Sequence, residues 1–366
     1  MHLKDECVYI FREGSAFLII GTHVDDIFSL FNEEGRVLRD RVMRSLRARM
    51  EVDDKGPLAF ALDMRIQRDP KRGILKLSQR QYIEDLMRDY NITNTRTSPA
   101  PVDDLKEEDV PTDGPEREAA AKIPIRALIG RLWWLALTSR PDIFCSVHKC
   151  ALWQNKPSEK LWKRAIHILE YLNGTRELGI IFKRPEGKFL DGEPVLPKGV
   201  FQAFCDASFA SDSGYRSRVG YYFFFLGALV SWSSSLTTRV MSSSTEAECH
   251  ALVAVGKENI WQREYIAQLG LFGSGGTSVL PPTDVFQDNR AALLLSAGAP
   301  SHKRSKHFGL EFALFREYVQ LGEMSLAHVR TGELPADMLT KSLPPPKFAC
   351  FRDQVMGDLR LQQAFA

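Results

Sequence analysis

Four acidic residues, each in a different local setting, are the groups in this 366-residue chain with the types and spacing to do chemistry together: Asp206, Glu248, Asp288 and Asp337. Asp206 ends an apolar, strand-like run that begins at Phe201. Glu248 lies early in a helical stretch that starts near Thr245. Asp288 ends a second strand-like run from Val285. Asp337 follows Leu334, Pro335 and Ala336 at a helix start. A strand, helix, strand, helix series that aims one carboxylate each at a common point makes a hard oxygen cage. Such a cage holds Mg²⁺ and leaves places for water and phosphate oxygens; Mn²⁺ is the alternative ion. Two such ions clamp both sides of an in-line phosphate displacement.

Each acid also has a plainer reading. Asp206 alone reads as a turn residue. Asp288 and Asp337 sit near helix starts, where the helix dipole favours an anion. The ordered series of four favours the cage. Two glutamates compete in the helix. At about 100° per residue, Glu248 shares the face of Ala251, Leu252 and Val255, and Glu246 lies on the polar side with His250 and Lys257. Glu248 is therefore the one expected to face the sheet, with Glu246 as an exposed acid of the first turn.

The motifs around these acids carry a resemblance. Cys205-Asp206-Ala-Ser-Phe-Ala-Ser-Asp212, Ser243-Ser-Thr-Glu-Ala-Glu248-Cys249, Gln287-Asp288-Asn289, Lys306-His307 and Ala336-Asp337-Met-Leu-Thr-Lys341 resemble the ribonuclease H domain of copia-type retrotransposon polyproteins. Thr138-Ser-Arg-Pro-Asp-Ile143 and Tyr171-Leu-Asn-Gly-Thr175 are similar to that family's connection region. Val24-Asp25-Asp26 resembles the catalytic hairpin of its reverse transcriptase, so Asp25 and Asp26 are candidate ligands of a polymerase metal. The family's third metal-binding Asp lies on an earlier strand. His23 stands where the family has Tyr, and Asp63 where it has Gly. The chain thus reads as a C-terminal part of such a polyprotein that extends no primer alone.

The resemblance implies Mg²⁺-dependent hydrolysis of the RNA strand of an RNA–DNA hybrid. It also implies association with the upstream reverse transcriptase and integrase parts, in the cytoplasmic particle of the element, with nuclear entry alongside it. A catalytically inactive binding remnant, and a polymerase subunit completed by another chain, remain the alternatives. Choosing RNA requires contacts to 2′-hydroxyls across the minor groove, and Ser208 and Asn289 are candidates, each also fit to be a turn or cap residue. His328 ends the strand before Asp337 and is a candidate to aid product departure by moving protons near neutral pH. Lys160, Lys163 and Arg164, and Lys303, Arg304 and Lys306, are candidate backbone contacts. A solvated helix face and a basic loop are their plainer readings.

The fold expected to position these groups is α+β and α/β: a polymerase palm–thumb remnant, then a ribonuclease H-like mixed sheet with flanking helices. Residues 1–96 read as the palm remnant, with β-type runs at 17–20 and 27–31, a helix over 34–50, a hairpin over 62–77 and Ser78 as the next helix cap. Residues 97–124 hold five prolines, and eight acidic against two basic residues fall between 103 and 118, so a solvated acidic linker is expected. Residues 125–184 read as a helical thumb or connection. Residues 201–343 read as three antiparallel strands followed by alternating helices and strands, with a short strand at 238–242. Residues 344–366 read as a tail.

Composition sets outer bounds. Hydrophobic content of 44% and charged content of 26% are ordinary for a globular protein long enough for two or three cores. A net charge of +2 identifies no partner, since local patches decide nucleic-acid binding. The six cysteines have no zinc spacing. Residues 219–230 form the longest apolar run, too short to span a bilayer, so no membrane partner is expected.

Overall fold

The computed structural model describes residues 5–100, 105–184, 199–270, 280–298, 309–357 and Gln362. The chain divides into two compact units, one on Met1–Ala59, Lys188–Leu196 and Glu258–Leu280, the other on Phe60–Gly187, Pro197–Lys257 and Pro281–Ala366.

In the smaller unit, β1 (Val8–Glu13), β2 (Ala16–His23) and β3 (Asp26–Phe31) form an antiparallel meander. Helix α1 (Arg36–Arg47) covers it, burying Leu38 against Leu18 and Ile20. Asn32 fixes the entry to α1: its side-chain oxygen accepts from the N–H groups of Phe17 and Gly35, and its amide donates to the Ser15 carbonyl. Gly35 must be glycine, because a Cβ there would sit 2.0 Å from the Phe17 carbonyl oxygen.

The larger unit begins with β4 (Phe60–Ala61), β5 (Met64–Asp69), β6 (Ile74–Ser78) and helix α2 (Arg80–Asp89). These residues were expected to share a domain with residues 1–59. Instead β6 pairs with β7 (Ile180–Lys183), and Ile83 and Leu86 of α2 enter the larger core. The apolar face of α2 decides the matter, since it has to be buried and the helical core offers the surface. Ser78 is the last residue of β6 and does not cap α2. Gln79 occupies that position, and its side-chain oxygen accepts from the hydroxyls of Thr138 and Ser139.

The expected acidic linker is partly built into the fold. It contains a single helical turn at Glu107–Asp109 and helix α3 (Gly114–Ala121), which buries Ala120. Glu107 and Asp109 pair with Lys156 and Lys160, so opposite charge holds it against the helices that follow. Those helices are α4 (Ile125–Thr138), α5 (Phe144–Leu152) and α6 (Glu159–Gly174). Ser158 caps α6 through the Leu161 N–H. Between them Arg140 is fully buried and satisfied, by both oxygens of Asp142 at 2.9 and 2.7 Å and by Thr175. The Tyr171 hydroxyl donates to the same Asp142.

The second sheet comprises β8 (Phe201–Asp212), β9 (Arg216–Phe225), β10 (Ala228–Leu236), β11 (Thr283–Gln287) and β12 (Met324–His328), in the order β10-β9-β8-β11-β12. β8, β9 and β10 are antiparallel, and β11 runs parallel to both β8 and β12. Helices α7 (Ser244–Leu269), α8 (Arg290–Ser296), α9 (Gly309–Gln320), α10 (Asp337–Thr340) and α11 (Pro345–Met356) accompany this mixed sheet in an α/β arrangement. No strand forms at 238–242. Ser242 gives its N–H and hydroxyl to the Glu246 carboxylate, which commits that segment to the start of α7. The expected tail is no separate piece either. α11 buries Phe348, Phe351, Val355 and Met356, and the Gln362 side chain both accepts from and donates to the Gly179 backbone.

Candidate active site

Period-two alternation along β8 turns Ala203 and Cys205 into the core, and Asp206, which does not end the strand as expected but lies in its middle, is buried next to them. Helix α7 brings Glu248 to it, and the end of β11 brings Asp288. Ligand atoms of Asp206, Glu248 and Asp288 all lie within 4.8 Å of one another. Among the described residues this is the one cluster of three groups able to hold a metal ion.

Glu248 is held in place by Gln287, which donates from Nε2 to its carboxylate and its carbonyl, both at 3.0 Å. Burial, with the carboxylates of Asp206 and Asp288 nearby, pushes the Glu248 carboxyl up to about 9. Burial also raises the Asp206 carboxyl, against the pull of Lys341 and of the Thr340 hydroxyl that donates to it. The cluster is thus short of positive charge, which is the electrostatic condition a divalent cation relieves. Glu246 is buried too, contrary to the expectation of an exposed acid. Its carboxylate accepts from Ser242 and pairs with Arg239, while the Ser243 hydroxyl accepts the Glu246 N–H at 3.1 Å, so it secures the helix start.

Asp337 does not join the three-carboxylate cluster. It is fully buried at the start of α10 and lies 2.7 Å from both Lys341 and Lys347. Lys341 is also 3.6 Å from Asp206, so its ammonium links Asp337 to the cluster. Burial lowers the Lys341 pKa, and the Asp206 and Asp337 carboxylates more than reverse it, leaving it raised. Gly220 permits this arrangement. It is the register partner of Asp206 on β9, and a Cβ there would meet Leu339 Cβ at 2.5 Å. Only a glycine lets α10 lie close enough for Thr340 to reach Asp206.

The remaining candidates fall in varied places. His328 is exposed beside the cluster, with Nε2 3.1 Å from the Asp288 carbonyl oxygen. Asn289 accepts the Ala292 N–H with its side-chain oxygen as the cap of α8. Ser208 is half-buried on β8, opposite Arg218, whose guanidinium grips Asp212 at 3.1 and 2.7 Å. Of the basic helix residues, Lys160 is paired with Asp109, Lys163 with Glu159 on the surface, and Arg164 is buried. That stretch is therefore no bare cationic face, because the acidic segment folds onto it. Lys303, Arg304 and Lys306 lie outside the described residues. Asp25 and Asp26 are exposed at the β2–β3 turn, with Val24 at φ 52°, and among the described residues they join no cluster of three. Gln287, Thr340, Lys341 and Lys347 had no assigned role from sequence. Thr340 and Lys341 carried a signal, three and four residues after Asp337 on one helix face.

No protein-family model matches the chain. It is 31% identical over 357 residues to the retrovirus-related Pol polyprotein from transposon TNT 1-94 of Nicotiana tabacum, a match covering 96% of this chain and 25% of that protein. It is 30% identical over 359 residues to the corresponding polyprotein from transposon RE1 of Arabidopsis thaliana, covering 96% of this chain and 22% of that one. The chain therefore spans about a quarter of the length of the curated relatives it matches. Among solved structures, the foamy viral protease-reverse transcriptase in complex with RNA/DNA hybrid matches 89% of this chain and 37% of its own, at 12% identity and a TM-score of 0.44. Among the described residues no helix is long and apolar enough to cross a membrane.

Proposed function

We propose, from the 30–31% identity of this chain to the Pol polyproteins of two plant retrotransposons, that its carboxylate cluster hydrolyses the RNA strand of an RNA–DNA hybrid. The observation that carries the proposal is the convergence of Asp206, Glu248 and Asp288 within 4.8 Å of one another. All three donors are hard oxygens, and burial raises the pKa of two of them, so the set suits Mg²⁺ or Mn²⁺. When bound, a pair of such ions supplies an activated water and stabilises the leaving 3′ oxygen.

The protein's own part is placement. Asp206, in the middle of β8, and Asp288, just past the end of the parallel neighbour β11, set the floor of the site. Gln287 orients Glu248 and the Thr340 hydroxyl orients Asp206, the supporting contacts that keep such ligands aimed. Lys341 and Lys347 pair with Asp337, and Lys341 links that acid to Asp206. His328 beside Asp288 is the group placed to carry a proton away with the product. The 2′-hydroxyls that mark RNA meet the β8 backbone near Ser208.

A hybrid labelled on each strand, incubated with Mg²⁺, tests this reading. RNA fragments should form while the DNA strand, and duplex DNA offered alone, stay whole. Loss of the DNA strand, or no product under Mg²⁺ or Mn²⁺, contradicts it.

A further inference from the structure

Charge along the sequence marks α6 for nucleic acid, and the fold covers the start of α6 and the turn before it with carboxylates. Lys156 sets its ammonium 2.7 and 2.8 Å from the two carboxylate oxygens of Glu107, above the Trp153 ring. Four residues on, at the start of α6, Lys160 reaches both oxygens of Asp109 at 3.0 and 2.9 Å. The acidic turn is itself closed by the Lys106 N–H, which donates to Asp109 at 2.7 Å. Two carboxylates in one turn therefore meet two ammoniums on one face, each through both oxygens. A phosphate offers an ammonium the same pair of oxygens.

We infer that Lys156 and Lys160 form a binding face for nucleic-acid backbone phosphates, and that the Glu107-Glu108-Asp109 turn is its internal occupant, displaced when a duplex binds. The inference rests on the reading of a hybrid as the substrate. Competition favours the duplex. The Glu107–Lys156 pair keeps 70% and 51% of its side-chain surfaces exposed, and such pairs contribute little. A polyanion that displaces them gains the release of its condensed counterions, which a single carboxylate lacks. Glu108, exposed in the same turn, adds repulsion toward an approaching phosphate until the turn moves aside.

Hybrid binding measured in EDTA across a salt series tests this without cutting. The triple variant Glu107→Gln, Glu108→Gln, Asp109→Asn should bind about three- to tenfold tighter, since the exposed Glu107–Lys156 pair and the partly buried Asp109–Lys160 pair no longer compete. The double variant Lys156→Gln, Lys160→Gln should bind more weakly and flatten the slope of log K against log salt by about two. Duplex DNA should show the same two changes, because the face reads phosphates. A triple variant that binds no tighter, or a lysine variant with an unchanged slope, overturns the inference. Wild-type protein that binds hybrid with this salt slope yet cuts nothing under Mg²⁺ would fail the cleavage reading and leave this one standing.

Discussion

At the scale of single residues, three carboxylates and their supports carry the account. Glu248→Gln should reduce cutting to background and leave hybrid affinity in EDTA largely unchanged, a pairing that kinetics and binding on one preparation will check. Thr340→Val removes the hydroxyl that aims Asp206, and a loss of about 10- to 100-fold in cleavage rate is expected. His148 gives a pH signature away from the site. Burial and the neighbouring Arg218, 2.8 Å away, hold its imidazole down to about 4 from 6.5, with Asp212 opposing. Between these values the unfolded chain binds the proton and the folded one does not. Stability is therefore whole above about pH 6.5 and falls as pH drops toward 4. Thermal unfolding followed across that range should lose this slope in His148→Phe. The inward face of Glu248 was legible in the helical period, whereas Asp206 and Asp288 were marked only by their places after apolar runs and by the ordered series of acids. The supports were harder to read. Thr340 meets Asp206 across 134 residues, and local periodicity holds no information about such a contact.

At the scale of elements, glycines and ion pairs decide what packs where. Gly220 sets the depth at which α10 lies on β9. Gly220→Ala forces Leu339 outward, with an expected destabilisation of about 1–3 kcal/mol, and moves Thr340 off Asp206. Denaturant titration should show the first effect and cleavage kinetics the second. Unchanged cleavage would mean that α10 does not aim the site. The strands of the mixed sheet and α7 were readable from apolar runs and from the turn around Gly227. The false strand at 238–242 came from β-type residues whose polar groups are spent on the start of α7. The basic run on α6 misled for a related reason. Charge counted along the chain cannot tell that Asp109, 51 residues earlier, folds onto Lys160.

At the scale of the whole molecule, the two units divide the carboxylates between them. Asp25 and Asp26 belong to the smaller unit, and among the described residues no third ligand joins them. The double variant Asp25→Asn, Asp26→Asn should therefore cut hybrid at the wild-type rate, and the purified chain should extend no primer on an RNA template. The expected domain boundaries misplaced residues 60–96 and the C-terminal segment because β6–β7 pairing and the burial of α11 are long-range events. The most direct test of the central claim is strand-resolved cleavage of a labelled RNA–DNA hybrid by wild type and Asp206→Asn, both purified identically, with Mg²⁺ and with EDTA. The account predicts RNA fragments from wild type with Mg²⁺ alone, and none from Asp206→Asn or with EDTA. Equal cutting by the variant, or cutting that survives EDTA, would contradict it.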